Sequence, residues 1–222
     1  MHRQAEPYFN RRQAGEELAR ALESYKDSDC IVLAIPRGGV VVASEIADRL
    51  GFDLDVIVPR KLRAPMQPEL AIGAVASWGD HERMLDERTI RLLGVSQEYV
   101  DREAETQLTE INRRLLAYRG TTEPPSVAGR VAMLVDDGIA TGYTMRAAAI
   151  AVRNLAAQHI ILAVPVAPPD SLESLQPYVD EIVCLKTPTS FIAVGYWYRD
   201  FEQVSDDEVI NLLHKARERE LE

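Results

Sequence analysis

Two adjacent carboxylates, Asp136 and Asp137, end an apolar run of strand length, Val131-Ala-Met-Leu-Val135. A short turn, Gly138-Ile-Ala-Thr-Gly142, follows them, and Tyr143-Thr144-Met145 leads into an Ala-rich helix. A helix start attracts an anion, because its first N–H groups lack partners and its dipole favours negative charge there. Carboxylates beside such a site would repel a bare phosphate. They suit it if they hold sugar hydroxyls or a divalent cation while the loop takes the phosphate, and a ribose 5-phosphate meets both conditions. The same residues also suit a plain Asp-Asp-Gly turn and a Thr-Gly helix cap. The unbroken order of the whole run favours the ligand.

Two further segments carry residues fit to bind an anion. Pro36-Arg37-Gly38-Gly39 follows the apolar run Cys30–Ile35, where paired glycines permit a close backbone approach and Arg37 supplies charge. Gly-Gly between a strand and a helix is also a common tight turn. Arg60-Lys61 stands just past a second apolar run, Leu54–Val58. Arg can clamp phosphate oxygens with its planar fork, and Lys adds a point charge. A solvated basic turn is the plainer alternative.

These segments need a frame that brings them together. Ala14, Leu18, Ala21, Leu22 and Tyr25 fall on one face of a helix expected from about 11 to 26. Strands are expected at 30–35, 54–58 and 71–76, with a helix at 40–50 that Gly51 terminates. From Asp86 to Tyr118 the chain is highly charged and helical in pattern. Val100, Ala104, Leu108, Ile111 and Leu115 form one apolar stripe there. After the acidic strand come a helix at 145–157, a strand at 159–166, a Pro-led helix near 170–175 and a strand at 181–185. Ser205-Asp-Asp-Glu208 reads as a capping box for a last helix through Val209, Leu212 and Leu213. Alternating buried strands and helices imply an α/β fold with a doubly wound, mainly parallel sheet. Ligands of such sheets bind at the carboxyl ends of the strands, where the Pro36, Arg60 and Asp136 segments all emerge.

The run Val131–Thr144 resembles the signature of the type I phosphoribosyltransferases, which bind 5-phosphoribosyl pyrophosphate (PRPP). With Pro36-Arg-Gly-Gly-Val-Val-Val and Pro59-Arg-Lys, the chain looks like a bacterial group of predicted phosphoribosyltransferases. The resemblance implies a Rossmann-like fold in one domain over 1–222, with a helical insert at 86–119 and a C-terminal hood and helix at 186–222. It implies that Ala140, Thr141, Gly142, Tyr143 and Thr144 bind the 5′-phosphate, and that Asp136 and Asp137 hold the ribose hydroxyls. Arg37, Gly38 and Gly39 would form the pyrophosphate loop. Arg60-Lys61 is similar to the Arg-Lys pair of adenine members, and 62–69 would be a mobile lid. Mg²⁺ is expected as cofactor, held mainly by substrate oxygens and water, with no dedicated protein ligands.

Two features bear on the acceptor. Members acting on 6-oxopurines carry an aspartate where this chain has Ala140, so hypoxanthine or guanine chemistry by that route is disfavoured. The charged insert fits no simple base-salvage enzyme. Phe191, in an aromatic run through Phe201, is a candidate for stacking on a base, and a packed aromatic cluster is the alternative. A PRPP-binding regulator without turnover is the competing function, against which Arg37, Arg60 and Lys61 argue. A phosphatase using Asp136 is disfavoured, because such enzymes normally show Asp-x-Asp and adjacent strand residues face opposite ways.

Composition sets the remaining bounds. Apolar residues at 46% and charged residues at 27% are ordinary for a globular chain. The net charge of −10 argues against broad nucleic-acid or anionic-membrane binding. The start of the chain has no signal-peptide core and no run reaches membrane-span length, so a cytoplasmic protein is expected. Cys30 and Cys184 read as reduced core thiols, and His81, His159 and His214 as surface or core residues. The expected partners are PRPP, a small-molecule acceptor and a second copy of the chain in a homodimer.

Overall fold

The structure, a computed structural model, describes residues 6–76, 78 and 83–220; His81 lies outside them. Helix α1 (Arg11–Ala21) leads to β1 (Cys30–Ala34), α2 (Gly38–Leu50) and β2 (Asp53–Val56). Next come β3 (Arg60–Ala64), β4 (Gln67–Val75), the short β5 (Met84–Leu85), α3 (Glu87–Leu93) and α4 (Gln97–Arg119). The acidic run supplies β6 (Val131–Val135), followed by α5 (Tyr143–Asn154), β7 (His159–Val166), α6 (Pro169–Leu175), β8 (Glu181–Lys186) and α7 (Asp206–Glu220).

Five strands form a parallel sheet in the order β2-β1-β6-β7-β8. Their apolar runs are nearly continuous because helices cover both faces. Strand β1 shows this by its alternation. Cys30, Val32 and Ala34 enter the core that α1, α2, α4 and α7 share, while Ile31 and Leu33 enter the core under α5 and α6. The α/β, doubly wound fold expected from the sequence is the one observed. Both cysteines are free, and burial pushes the Cys30 thiol up to about 12.

Two local expectations change. Helix α1 stops at Ala21, which is exposed, and Gly15 and Ala19 are buried in its place. Gly15 lets α1 lie close on α2, since a Cβ there would sit 2.7 Å from the Val42 carbonyl oxygen. Residues 71–76 do not join the parallel sheet: β4 pairs antiparallel with β3 and β5 in a separate three-stranded sheet. Only Pro65 and Met66 separate β3 from β4, and so short a link permits no parallel crossover. Residues 62–69, expected as a mobile lid, lie within this hairpin, with Met66 fully exposed at its tip.

The charged insert packs into the main core. Helix α4 runs from its Ser96 cap to Gly120, which takes the left-handed conformation that ends a helix. Val100, Ala104, Ile111 and Leu115 are fully buried, while Leu108 is only partly so. The same face also buries Gln107, Tyr118 and Arg119. Arg119 Nε meets Asp55 Oδ1 at 2.7 Å, tying α4 to β2 through a largely buried ion pair. At the last helix, Ser205 Oγ accepts from the Glu208 amide at 3.1 Å, as a capping serine should.

Candidate active site

Strands β1 and β6 are neighbours, so the segments that follow them emerge side by side. The Ile35 amide still donates to Val135 O at 2.8 Å, after which the chains part. The Pro36–Arg37 peptide is cis, and α2 begins at Gly38, two residues earlier than the apolar pattern suggests. Both glycines are required by proximity. A Cβ on Gly38 would overlap Asp137 Oδ2, and one on Gly39 would stand 2.9 Å from both Asp136 Cα and Val135 O. The start of α2 thus rests directly on the acidic pair.

Asp136 and Asp137 lie just past the end of β6. Asp136 Oδ1 accepts from the Asp137 amide at 2.8 Å, and Asp137 Oδ2 accepts from Arg11 Nε at 2.7 Å. Burial raises the Asp136 carboxyl well above the ordinary carboxylate range, and the charge of Asp137 adds to the effect. Burial raises Asp137 too, against the pull of the Arg11 guanidinium. One carboxyl of the pair is thereby disposed to hold a proton while the other is matched by a cation.

Arg11 is a member of this constellation that the sequence did not disclose. Its Nη1 donates to Glu202 O at 2.8 Å, and its guanidinium lies 3.8 Å from the centre of the Phe201 ring. Phe201 stacks on Tyr198, whose hydroxyl donates to Asp137 O at 2.5 Å. The segment before α1 is fixed to the same place, since the Tyr8 amide donates to Trp197 O and the Arg199 amide to Tyr8 O, each at 2.8 Å. Arg11, Arg37, Gly38, the acidic pair and Phe201 line a cleft of about 380 Å³, with Pro36, Gln203 and Val204 completing its wall.

The loop after the acidic pair is held from behind. The Ile139 amide donates to Val166 O at 3.0 Å, and Ser171 Oγ donates to Ala140 O at 2.6 Å. A Cβ on Gly138 would stand 2.6 Å from Val194, which packs there from the segment after β8. Gly142 has φ of 75°, a conformation open to glycine, and α5 starts at Tyr143 with no side chain capping it. The first amides of α5 are thus without a side-chain acceptor, behind the exposed Ala140 and Thr141 and the half-buried Thr144.

The other expected residues lie elsewhere. Arg60 begins β3 and gives its Nε to Gln107 Oε1 at 2.9 Å, and Lys61 is exposed on the same strand. Neither lines the cleft. Phe191 is half-buried beyond β8 and does not line it either; Phe201 is the aromatic at that wall. His159 stands 3.8 Å from Asp180 and His214 is exposed on α7, both away from the cleft. Among the described residues no group of three or more His, Cys, Asp or Glu side chains is placed to hold a metal ion. Two carboxylates, one already paired with Arg11, fit a cation that arrives on a polyphosphate better than one caged by protein.

A parallel sheet with an acidic pair and an open helix start at its carboxyl edge places the chain among the α/β domains that take ligands at that edge. The chain matches the phosphoribosyl transferase domain over residues 9–199, and it belongs to that family. It is 43% identical over 209 residues to a protein of Mycobacterium tuberculosis provisionally named a phosphoribosyl transferase. That match covers 94% of this chain and 47% of the relative, so the chain spans about half the length of the curated relatives it matches. The crystal structure of TT1426 from Thermus thermophilus superposes with a TM-score of 0.80 at 41% identity. The match covers 94% of this chain and 98% of that one.

Proposed function

We propose that this domain transfers the 5-phosphoribosyl group of PRPP to a nitrogenous base or related acceptor and releases pyrophosphate. The observation that carries this reading is the meeting, across one cleft, of the Asp136–Asp137 pair with the Arg37-Gly38-Gly39 start of α2. The uncapped start of α5 follows the pair directly.

Transfer breaks the bond from the anomeric carbon to pyrophosphate and forms one to the acceptor, through a transition state with oxocarbenium character like that of glycoside cleavage. The amides at 141–144 and the hydroxyls of Thr141 and Thr144 would bind the 5′-phosphate, with Tyr143 opening the helix. Asp136 and Asp137 would accept hydrogen bonds from the ribose hydroxyls and stabilise positive charge on the ring. Arg37, from the cleft wall, would meet the charge of the leaving pyrophosphate, and Arg60 and Lys61, which stand outside the cleft at the start of the hairpin, would add to the positive field around it. Mg²⁺ bound to pyrophosphate would lower the charge of that leaving group. On this reading one domain, with its helical insert at 86–119 and its hood at 186–222, does the chemistry in the cytoplasm.

The test is to incubate the protein with PRPP, Mg²⁺ and a panel of bases and to follow pyrophosphate. Release that depends on one base supports transfer and names the acceptor. Tight PRPP binding with no release for any base would replace the transferase reading with that of a regulatory PRPP-binding protein.

A further inference from the structure

We propose that α4 is a positioning element for the leaving-group cations, with Gln107 orienting Arg60 and Tyr118, through Asp206, orienting Arg37. This inference rests on the transferase reading above, and it assigns a role to the charged insert. Gln107 and Tyr118 lie roughly three turns apart, so they share one face of the helix, about 16 Å from each other along its axis. Both point inward: Gln107 is 6% exposed and Tyr118 is 2% exposed.

Gln107 is an unusual occupant of that face, because burying an amide is costly unless its groups are bonded. Here they are. Its Oε1 accepts from Arg60 Nε at 2.9 Å and its Nε2 donates to Glu103 Oε1 at 3.0 Å. The same Glu103 oxygen accepts from the Arg63 amide at 3.2 Å, which fixes the amide and the strand together. Arg60 forms no ion pair among the described residues, although Glu110 and Glu103 are near: Glu110 is bonded to Arg113 and Arg114, and Glu103 to Gln107 and the Arg63 amide. A neutral amide therefore holds one edge of the Arg60 guanidinium without cancelling its charge. That is the property needed in a cation that must answer a polyanion.

At the far end of the same face, Tyr118 Oη donates to Asp206 Oδ1 at 2.6 Å, and that oxygen lies 3.9 Å from Arg37 Nη1. Asp206 is half-exposed, so its pairing with Arg37 adds little to stability. What the contact does is limit where the Arg37 side chain points at the mouth of the cleft. Tyr118 restrains Asp206 in turn. Packing alone would explain Val100, Ala104, Ile111 and Leu115, but it asks for neither Gln107 nor the Tyr118 hydroxyl.

The experiment is calorimetric titration of the full chain with inorganic pyrophosphate in Mg²⁺, and separately with PRPP. Gln107→Met and Tyr118→Phe keep side-chain size and remove one polar contact each. Each is expected to weaken pyrophosphate binding about tenfold. Ile111→Val, on the same helix face, is the packing control. It should lower the melting temperature and leave pyrophosphate affinity unchanged. Wild-type affinity in both Gln107→Met and Tyr118→Phe would overturn the inference, as would an equal loss in Ile111→Val. A wild-type chain that binds neither PRPP nor pyrophosphate would instead overturn the transferase reading on which this one rests.

Discussion

In the loop after β6, the residues proposed to act together are neighbours in the chain: two carboxylates, a glycine turn and the first turn of α5 within 136–144. In the hairpin and α4, the acting pairs are remote. Arg60 meets Gln107 across 47 positions, Arg119 meets Asp55 across 64, and Tyr118 meets Asp206 across 88. The first region concentrates its polar groups where a ligand can reach them and leaves its carboxyls poorly solvated. The second spends its polar groups on one another. On the proposed reading, the groups that meet the sugar phosphate are encoded locally, and the orientation of the supporting cations is encoded over distance.

The comparison can be broken most forcefully at the second region. Replacing Arg119 by Met leaves the largely buried Asp55 carboxylate without its cation and should cost about 3–5 kcal/mol in urea denaturation. An effect below about 1 kcal/mol, the range of an exposed pair, would show that α4 is not anchored as described. Next in size is Gly39→Ala in the first region. Its new methyl meets backbone that cannot give way, so a loss of about 1–3 kcal/mol is expected in the same assay. Unchanged stability would mean that α2 does not rest on the acidic pair.

Gly142→Ala should be milder, about 1–2 kcal/mol, because alanine must adopt positive φ there. Thermal melts check that value, and phosphate-loop binding should weaken with it. The smallest effect concerns pH. Asp136 has its carboxyl raised in the folded chain, so the folded state holds a proton that the unfolded state releases. Stability is then lost as pH rises from the ordinary carboxylate value through the raised one. Asp136→Asn removes that loss. Its stability relative to wild type should climb with pH over that window in parallel denaturation curves, and a flat difference would contradict the burial described for Asp136.

Much of this was legible in the residues. The five apolar runs of the parallel sheet, the Gly51 stop, the stripe on α4 and the acidic loop all follow from short-range pattern. The hairpin was legible too. Lys61, Leu62, Arg63 and Ala64 alternate exposed and buried, but their charges drew attention to anion binding in place of the two-residue period. Arg11 and Phe201 could not be found that way. Arg11 opens an ordinary amphipathic helix, and its partner Asp137 is 126 positions away. Phe201 stands within a run of aromatics where spacing gave no ground to prefer it to Phe191. Gln107 reads as one more polar residue on a charged helix until its burial is seen.

The central claim is that the Asp136–Asp137 loop binds the ribose of PRPP during transfer. The most direct test compares wild type with Asp137→Asn for pyrophosphate release from PRPP, using the base that supports turnover. Removing that carboxylate should lower kcat/KM by about 10²–10³, the scale of losing one preorganised electrostatic contact, with the melting transition retained. Full activity in a folded Asp137→Asn chain would contradict the account.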